Sequence, residues 1–201
     1  MKKLFAIIGF IFILTAAPET NHEAQAQTRE QVERRHTRRA VRRRTRRRVR
    51  RRVSRRAHLR YHGMPRYRAV VAVAPQGAVV VKSKGVSYHY HSGVFYQSRN
   101  DDFIVVRPVV GVRVRTLPAA KRVVVVNNRN YYYYYGTFYQ ETGGEYEVVD
   151  APEGALVDAL PEGYEVETKD DTEYYVLDGV YYQEVDTDEY EDGVGYEVVK
   201  L

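Results

Sequence analysis

The chain of 201 residues predicts an all-β fold of tandem small units, preceded by a basic arm. Three observations carry that reading. Gly93, Gly136 and Gly179 recur with a period of about 43 residues, and each is followed three places on by Tyr-Gln, at Tyr96-Gln97, Tyr139-Gln140 and Tyr182-Gln183. Pro75, Pro118 and Pro161 precede those glycines at one constant distance, and the sets Val80, Val123, Val166 and Tyr88, Tyr131, Tyr174 keep the same period. Beyond Tyr61, short apolar runs alternate with turn residues and no helical period appears. A single unit is too small to bury its own core, so sheet continuation or unit stacking must supply the burial. The units fall near 67–110, 111–153 and 154–201, arranged as compact barrel-like units or as stacked meander sheets.

Taken in order, residues 1–26 read as a secretory signal peptide. Lys2 and Lys3 are followed by an uncharged apolar run, Leu4 to Ala17, and then by Ala24-Gln25-Ala26, a small-x-small cleavage pattern. A retained amino-terminal anchor is the alternative. Cleavage implies an exported protein, periplasmic, outer-surface or extracellular, and not integral to a membrane once processed. The chain has no cysteine. Disulfides, thiol catalysis, iron–sulfur sites and cysteine-based zinc are thereby excluded.

Residues 27–66 form a low-complexity arm. From Arg29 to Arg60 there are 17 arginines against Glu30 and Glu33, whereas Glu141 to Leu201 holds 20 acidic residues against Lys169 and Lys200. Val41, Thr45, Val49, Val53 and Ala57 fall four apart, with Tyr61 next, which on a helix is a narrow stripe. Like charges four apart oppose that helix in free solution, so the arm reads as disordered alone and helical once neutralised. Arg42, Arg43, Arg44, Arg46, Arg47, Arg48, Arg50, Arg51 and Arg52 are the candidate anion-binding residues. Guanidinium groups grip phosphate or carboxylate bidentately, without reading sequence.

The repeat domain, 67–201, begins with a strand expected over Tyr67 to Ala74, broken by the turn Pro75-Gln76-Gly77. Aromatic strands then flank each repeated glycine as a hairpin, seen most plainly at Leu177-Asp178-Gly179-Val180, where Asp-Gly suits a two-residue turn. The run Tyr131 to Tyr135 must place rings on both faces of a strand, their bodies buried and their hydroxyls expected in water. Phe103 to Val106, Tyr146 to Val149 and Tyr196 to Val199 are matching strands, and the last copy carries an extra seven residues around Asp186 to Asp192. The apolar window Val123 to Val126 is flanked by Lys121-Arg122 and Asn127-Asn128-Arg129, which guard it against aggregation. Gly93, Gly136, Gly179, Pro75, Pro118 and Pro161 are the structural turn residues.

Two stretches carry a family resemblance. Tyr-Tyr-x-x-x-Gly-x-Tyr-Tyr, from Tyr174 to Tyr182, and Tyr-x-Val-Val-x-x-Pro-x-Gly-x-x-Val-x-x-Leu-Pro-x-Gly-Tyr, from Tyr146 to Tyr164, resemble a family of uncharacterised secreted bacterial proteins with Tyr/Gly/Pro repeats. That likeness covers about Tyr67 to Leu201, implies an export signal and a basic stretch ahead of the repeats, and lends no catalytic residues. The valine–Leu-Pro-Gly rhythm is also similar to bacterial SH3-type envelope domains, which bind cell-wall peptides or glycans, although the tryptophan and Asn-Val-Arg features of those domains are absent.

Site chemistry is sparse. His89 and His91 share a strand face and His58 and His62 a helix face, short of the three or four ligands a metal centre needs, so no metal and no cofactor is expected. Asp101-Asp102 and Asp170-Asp171 read as solvated turns in matching loops rather than as a glycosidase pair. Asp186-x-Asp188 near Asp192-Gly193 lacks the sixth-position glycine of an EF-hand loop. Tyr88, Tyr96, Tyr131, Tyr139, Tyr174 and Tyr182 could line up as an aromatic surface that stacks sugars or bases; cross-strand packing is the favoured alternative.

The leading functional expectation is therefore a non-enzymatic secreted or envelope-associated structural or adhesive protein, its arm bound to an anionic lipid, glycan or other polyanion. A second reading is homotypic or intramolecular assembly, the basic arm pairing with the acidic carboxy-terminal repeats. A third is a sequence-independent extracellular nucleic-acid or glycan binder, without specific DNA recognition.

Overall fold

The computed structural model describes residues 19–191 and 193–201. Most of the expected signal segment lies outside the described residues. The chain divides into two compact units, Met1–Val49 and Arg50–Leu201. Helix α1, Glu19–Arg60, forms the described part of the first unit and opens the second. Arginine is a good helix former, so the conformation is intrinsically accessible once its charges are offset.

The second unit is built from three five-stranded antiparallel sheets, one per repeat. The first holds β1 (Val70–Val71), β2 (Val79–Ser83), β3 (Val86–His91), β4 (Val94–Arg99) and β5 (Asp102–Val106), in the order β1-β5-β4-β3-β2. The second has β6 (Arg113–Val114), β7 (Arg122–Val126), β8 (Arg129–Tyr134), β9 (Thr137–Thr142) and β10 (Glu145–Val149), ordered in the same way. The third has β11 (Leu156–Val157), β12 (Glu165–Lys169), β13 (Thr172–Leu177), β14 (Val180–Asp186) and β15 (Val194–Val199). The repeat extends to single hydrogen bonds. Arg68 N, Gly111 N and Gly154 N donate to Val105 O, Val148 O and Val198 O at 3.0, 2.9 and 2.9 Å.

Turn chemistry explains the hairpins. Ser92-Gly93, Tyr135-Gly136 and Asp178-Gly179 all have positive φ at both positions, as a tight two-residue hairpin turn requires. Lys84-Gly85, Asn127-Asn128 and Asp170-Asp171 do the same between β2 and β3, β7 and β8, and β12 and β13. The two aspartate pairs are therefore not in matching loops: Asp170-Asp171 is the turn from edge strand β12 to β13, whereas Asp101-Asp102 closes the β4–β5 connection. The strand expected over Tyr67 to Ala74 shrinks to Val70–Val71. Arg68 turns the chain with φ of 62°, at the place held by Gly111 and Gly154 in the other copies, and so ends pairing on that side.

Burial runs along the strands as well as across them. β8 is exposed at Arg129 and Asn130, half-buried at Tyr131 and Tyr132 and buried at Tyr133 and Tyr134, and β9 reverses the gradient from Thr137. β4 and β13 show the same trend. The inner ends of these strands thus form the core, and at the second tip, Tyr135-Gly136, the turn itself is buried, which is why consecutive tyrosines are tolerated there. Edge strands adjoin, β2 beside β6 and β7 beside β11. Gly93 packs against Tyr134 and Pro118 of the second repeat, and Gly136 against Leu177 and Pro161 of the third. Tyr90 Oη donates to Thr116 O at 2.8 Å, and Tyr133 Oη, one repeat later, to Ala159 O at 2.9 Å. The third sheet meets the first differently. Tyr67 N donates to Glu162 O at 2.8 Å, Arg68 pairs with Glu165 at 2.8 Å, and Gly179 has nothing near its Cα substituent position.

The expectation that tyrosine hydroxyls face water needs correction. Tyr61, Tyr90, Tyr133, Tyr135 and Tyr190 all donate to backbone carbonyls. A buried hydroxyl without a partner costs free energy, and carbonyls in the short repeat connections are available acceptors.

Candidate electrostatic interface

The arm meets the third sheet within the second unit. Val53 and Ala57 are fully buried and Tyr61 nearly so, which confirms the four-residue stripe as a packing face over this stretch. Arginines flank it with counter-ions opposite. Arg50 pairs with Glu173 at 2.8 Å, Arg52 with Glu184 at 3.3 Å and Arg60 with Asp158 at 3.0 Å. Arg56 donates to Asp158 O at 3.2 Å and stands over the Tyr196 ring, 5.6 Å from its centroid. Arg122, from β7, reaches the same Asp158 carboxylate at 2.7 Å. That hydrogen bond raises the Arg122 pKa. A basic arm forming salt bridges is thus a property of the fold.

The ground beneath the helix is aromatic and acidic. Tyr175 and Tyr196 meet edge to face with centroids 5.8 Å apart, and Tyr164 meets Tyr175 at 5.4 Å. Burial pushes the Tyr196 phenol up to about 12, opposed by the nearby Arg56. Burial also raises the Glu184 carboxyl, against the pull of Arg52 and Arg56. Removing these arginines would leave a half-buried carboxylate uncompensated, the costly way to break such a pair. Beside the helix end, Arg56, Leu59, Arg60, Arg122, Asp158 and Tyr190 line a cleft of about 570 Å³. It is bordered by the loop that carries the seven extra residues of the last copy.

The remaining expected site residues fall as follows. Arg43, Arg44, Arg47 and Arg48, in the first unit, are exposed helix residues, Arg46 is half-buried, and Arg42 lies in the helix. Arg51 is exposed in the second unit. Of the tyrosines named as an aromatic surface, Tyr88, Tyr96, Tyr139 and Tyr182 are buried, while Tyr131 and Tyr174 are half-buried. Cross-strand packing describes the first four, and a stacking ladder through all six does not form. Pro161 is buried, and Pro75 and Pro118 are half-buried, each opening the connection ahead of a hairpin. His89 packs edge-on against Phe103 at 4.9 Å and His58 against His62 at 5.2 Å. Among the described residues, no group of three or more His, Asp or Glu could hold a metal ion. The loop read against an EF-hand includes Asp192, which lies outside the described residues.

Residues 26–201 match a family of unknown function, DUF6515. The chain belongs to that family. The match takes in the arm together with the repeats. No curated protein and no solved structure matches the chain. Among the described residues, no helix is long and apolar enough to cross a membrane.

What sequence reasoning missed is the division of the arm. Arg50, Arg52 and Arg60 have intramolecular counter-ions, and the signal was present: the acidic surplus sits in the last repeat alone, and Val53, Ala57 and Tyr61 are the apolar end of the stripe.

Proposed function

We propose that the protein is an exported, non-enzymatic surface module that holds an anionic polymer through the outer part of its arginine helix, with the three-sheet domain as the folded support. One observation carries the reading. Between Arg34 and Val49 the chain has ten arginines and no carboxylate, whereas Arg50, Arg52 and Arg60 meet Glu173, Glu184 and Asp158. At about 1.5 Å rise per residue those ten charges are spread over about 24 Å. That is within a factor of two of the charge density of duplex DNA, about one per 1.7 Å. Contacts of this kind are sequence-independent and fall steeply with salt. Phosphate and carboxylate polymers, and anionic lipid surfaces, all present matching chemistry.

The test is retention of the full chain on immobilised polyphosphate, on an anionic polysaccharide and on anionic vesicles at two salt concentrations. Replacing the arginines of 34–48 by glutamine should abolish retention while leaving the sheet signal in circular dichroism unchanged. Undiminished retention of that variant would refute the proposal. The pairing of Arg50, Arg52 and Arg60 with the third repeat favours a second, concurrent reading for the inner half of the arm: intramolecular assembly between basic and acidic regions.

A further inference from the structure

The helix seat on the third sheet is repeated on the second. Tyr164, Tyr175, Tyr196 and Glu184 of the third repeat correspond in register to Lys121, Tyr132, Tyr146 and Glu141 of the second. The geometry recurs as well: Tyr132 and Tyr146 meet edge to face at 5.1 Å, as Tyr175 and Tyr196 do at 5.8 Å. In the third repeat a cation from the arm, Arg56, lies over one ring of the pair, Tyr196, 5.6 Å from its centroid. In the second, Lys121 Nζ takes that place, 5.9 Å from the Tyr132 centroid and 5.8 Å from that of Tyr146. Tyr132 and Glu141, joined by a hydrogen bond from Tyr132 Oη at 3.2 Å, line a groove of about 410 Å³ together with Arg129. The first repeat has Ala78, His89, Phe103 and Ser98 at these positions and lacks the carboxylate.

The arm is repetitive in the same sense. The stretch Val49-Arg-Arg-Arg-Val53-Ser-Arg-Arg-Ala57, seated from Arg50 onward, is preceded by Val41-Arg-Arg-Arg-Thr45-Arg-Arg-Arg-Val49, the same apolar spacing with the same basic flanks. Val41 is 57% exposed and Arg43, Arg44, Arg47 and Arg48 are exposed. The chain therefore has two aromatic–carboxylate seats and two helical motifs of matching spacing, and the third-repeat seat holds the inner motif.

We infer that the groove at Tyr132 and Glu141, beside Tyr146, is a docking site for the outer arm segment, Val41 to Val49, of a second copy of this chain. An arriving arginine displaces Lys121 from the ring pair, gains a cation–π contact there and pairs with Glu141. Charge complementarity and the occupied seat of the third repeat select the occupant. This assignment does not rest on the polyanion reading and needs no added polymer.

Sedimentation and light scattering of the full chain, over a concentration series at about 50 mM and about 500 mM salt, test it. The expected result is concentration-dependent association, weaker at high salt. Glu141→Lys, an exposed substitution, should weaken association about tenfold, and Lys121→Ala should strengthen it by removing the built-in cation. Ser98→Lys, the same position in the first repeat, should change nothing. A monomer at every concentration would overturn the assignment. So would association that Glu141→Lys leaves intact, or that Ser98→Lys disrupts equally.

Discussion

Alanine at each repeated glycine turns the three copies into an internal experiment. Gly93, Gly136 and Gly179 have φ of 85°, 79° and 77° in equivalent hairpin turns, so the backbone cost of a Cβ is shared, about 1 kcal/mol. Their surroundings differ. A Cβ on Gly93 would collide with the Tyr134 ring and stand 2.9 Å from Pro118 Cγ, while one on Gly179 would meet nothing within 4 Å. Tyr134 is buried and held edge-on against Tyr61 at 5.9 Å, so it has little room to yield. Overpacking of that kind adds about 1–3 kcal/mol. Gly93→Ala should therefore cost about 2–4 kcal/mol in total and Gly179→Ala about 1 kcal/mol. Gly136→Ala falls between, because its nearest neighbour is the flexible end of Leu177. Urea unfolding of the three variants, followed by circular dichroism at constant m-value, measures the differences. Equal losses at Gly93 and Gly179 would refute the claim that successive sheets are locked through these tips and that the third tip is open.

Three further outcomes follow from the geometry. Tyr133→Phe removes the donor to Ala159 O and should cost about 1 kcal/mol, while Tyr182→Phe, whose buried hydroxyl has no hydrogen-bond partner among the described residues, should be neutral or stabilising; thermal unfolding distinguishes them. Arg68→Gly should be close to neutral in urea, since it relieves a positive φ of 62° and gives up an exposed pair with Glu165 and a contact over the Tyr67 ring. Burial holds the phenols of Tyr67, Tyr190 and Tyr196 at about 12, above the usual value of 10.0, so the unfolded chain releases protons first. Stability is then fully present below pH 10 and is lost as pH rises towards 12. Tyrosinate absorbance of the buried set should appear together with loss of the sheet signal, and its full development near pH 10 with the sheets intact would contradict the burial described.

Much of the architecture was legible because it is local. Asn127-Asn128 and Asp178-Gly179 announce their hairpins by what positive φ demands, and the constant spacing of Gly93, Gly136 and Gly179 multiplies one such observation by three. The turns join strands adjacent in sequence, so pairing partners follow almost directly. Tyr67 and Arg68 were misread because an extended pattern of residues hides a single positive φ. The burial of Tyr96, Tyr139 and Tyr182 was open to two readings, since an aromatic strand looks the same whether its outer face meets water or another sheet.

The residues alone dictated an all-β repeat with a charged arm, because turn conformations, strand alternation and charge are properties of neighbours along the chain. Only the tertiary structure decided that the first two hairpin tips pack on the following repeat, that the Tyr90 and Tyr133 hydroxyls end on carbonyls of the next repeat, and that Arg50, Arg52 and Arg56 hold the helix end on the third sheet while Tyr61 closes against Tyr134 and Tyr135. Those contacts join positions such as Tyr90 and Thr116, or Arg50 and Glu173, far apart in sequence, where no local periodicity specifies the partner.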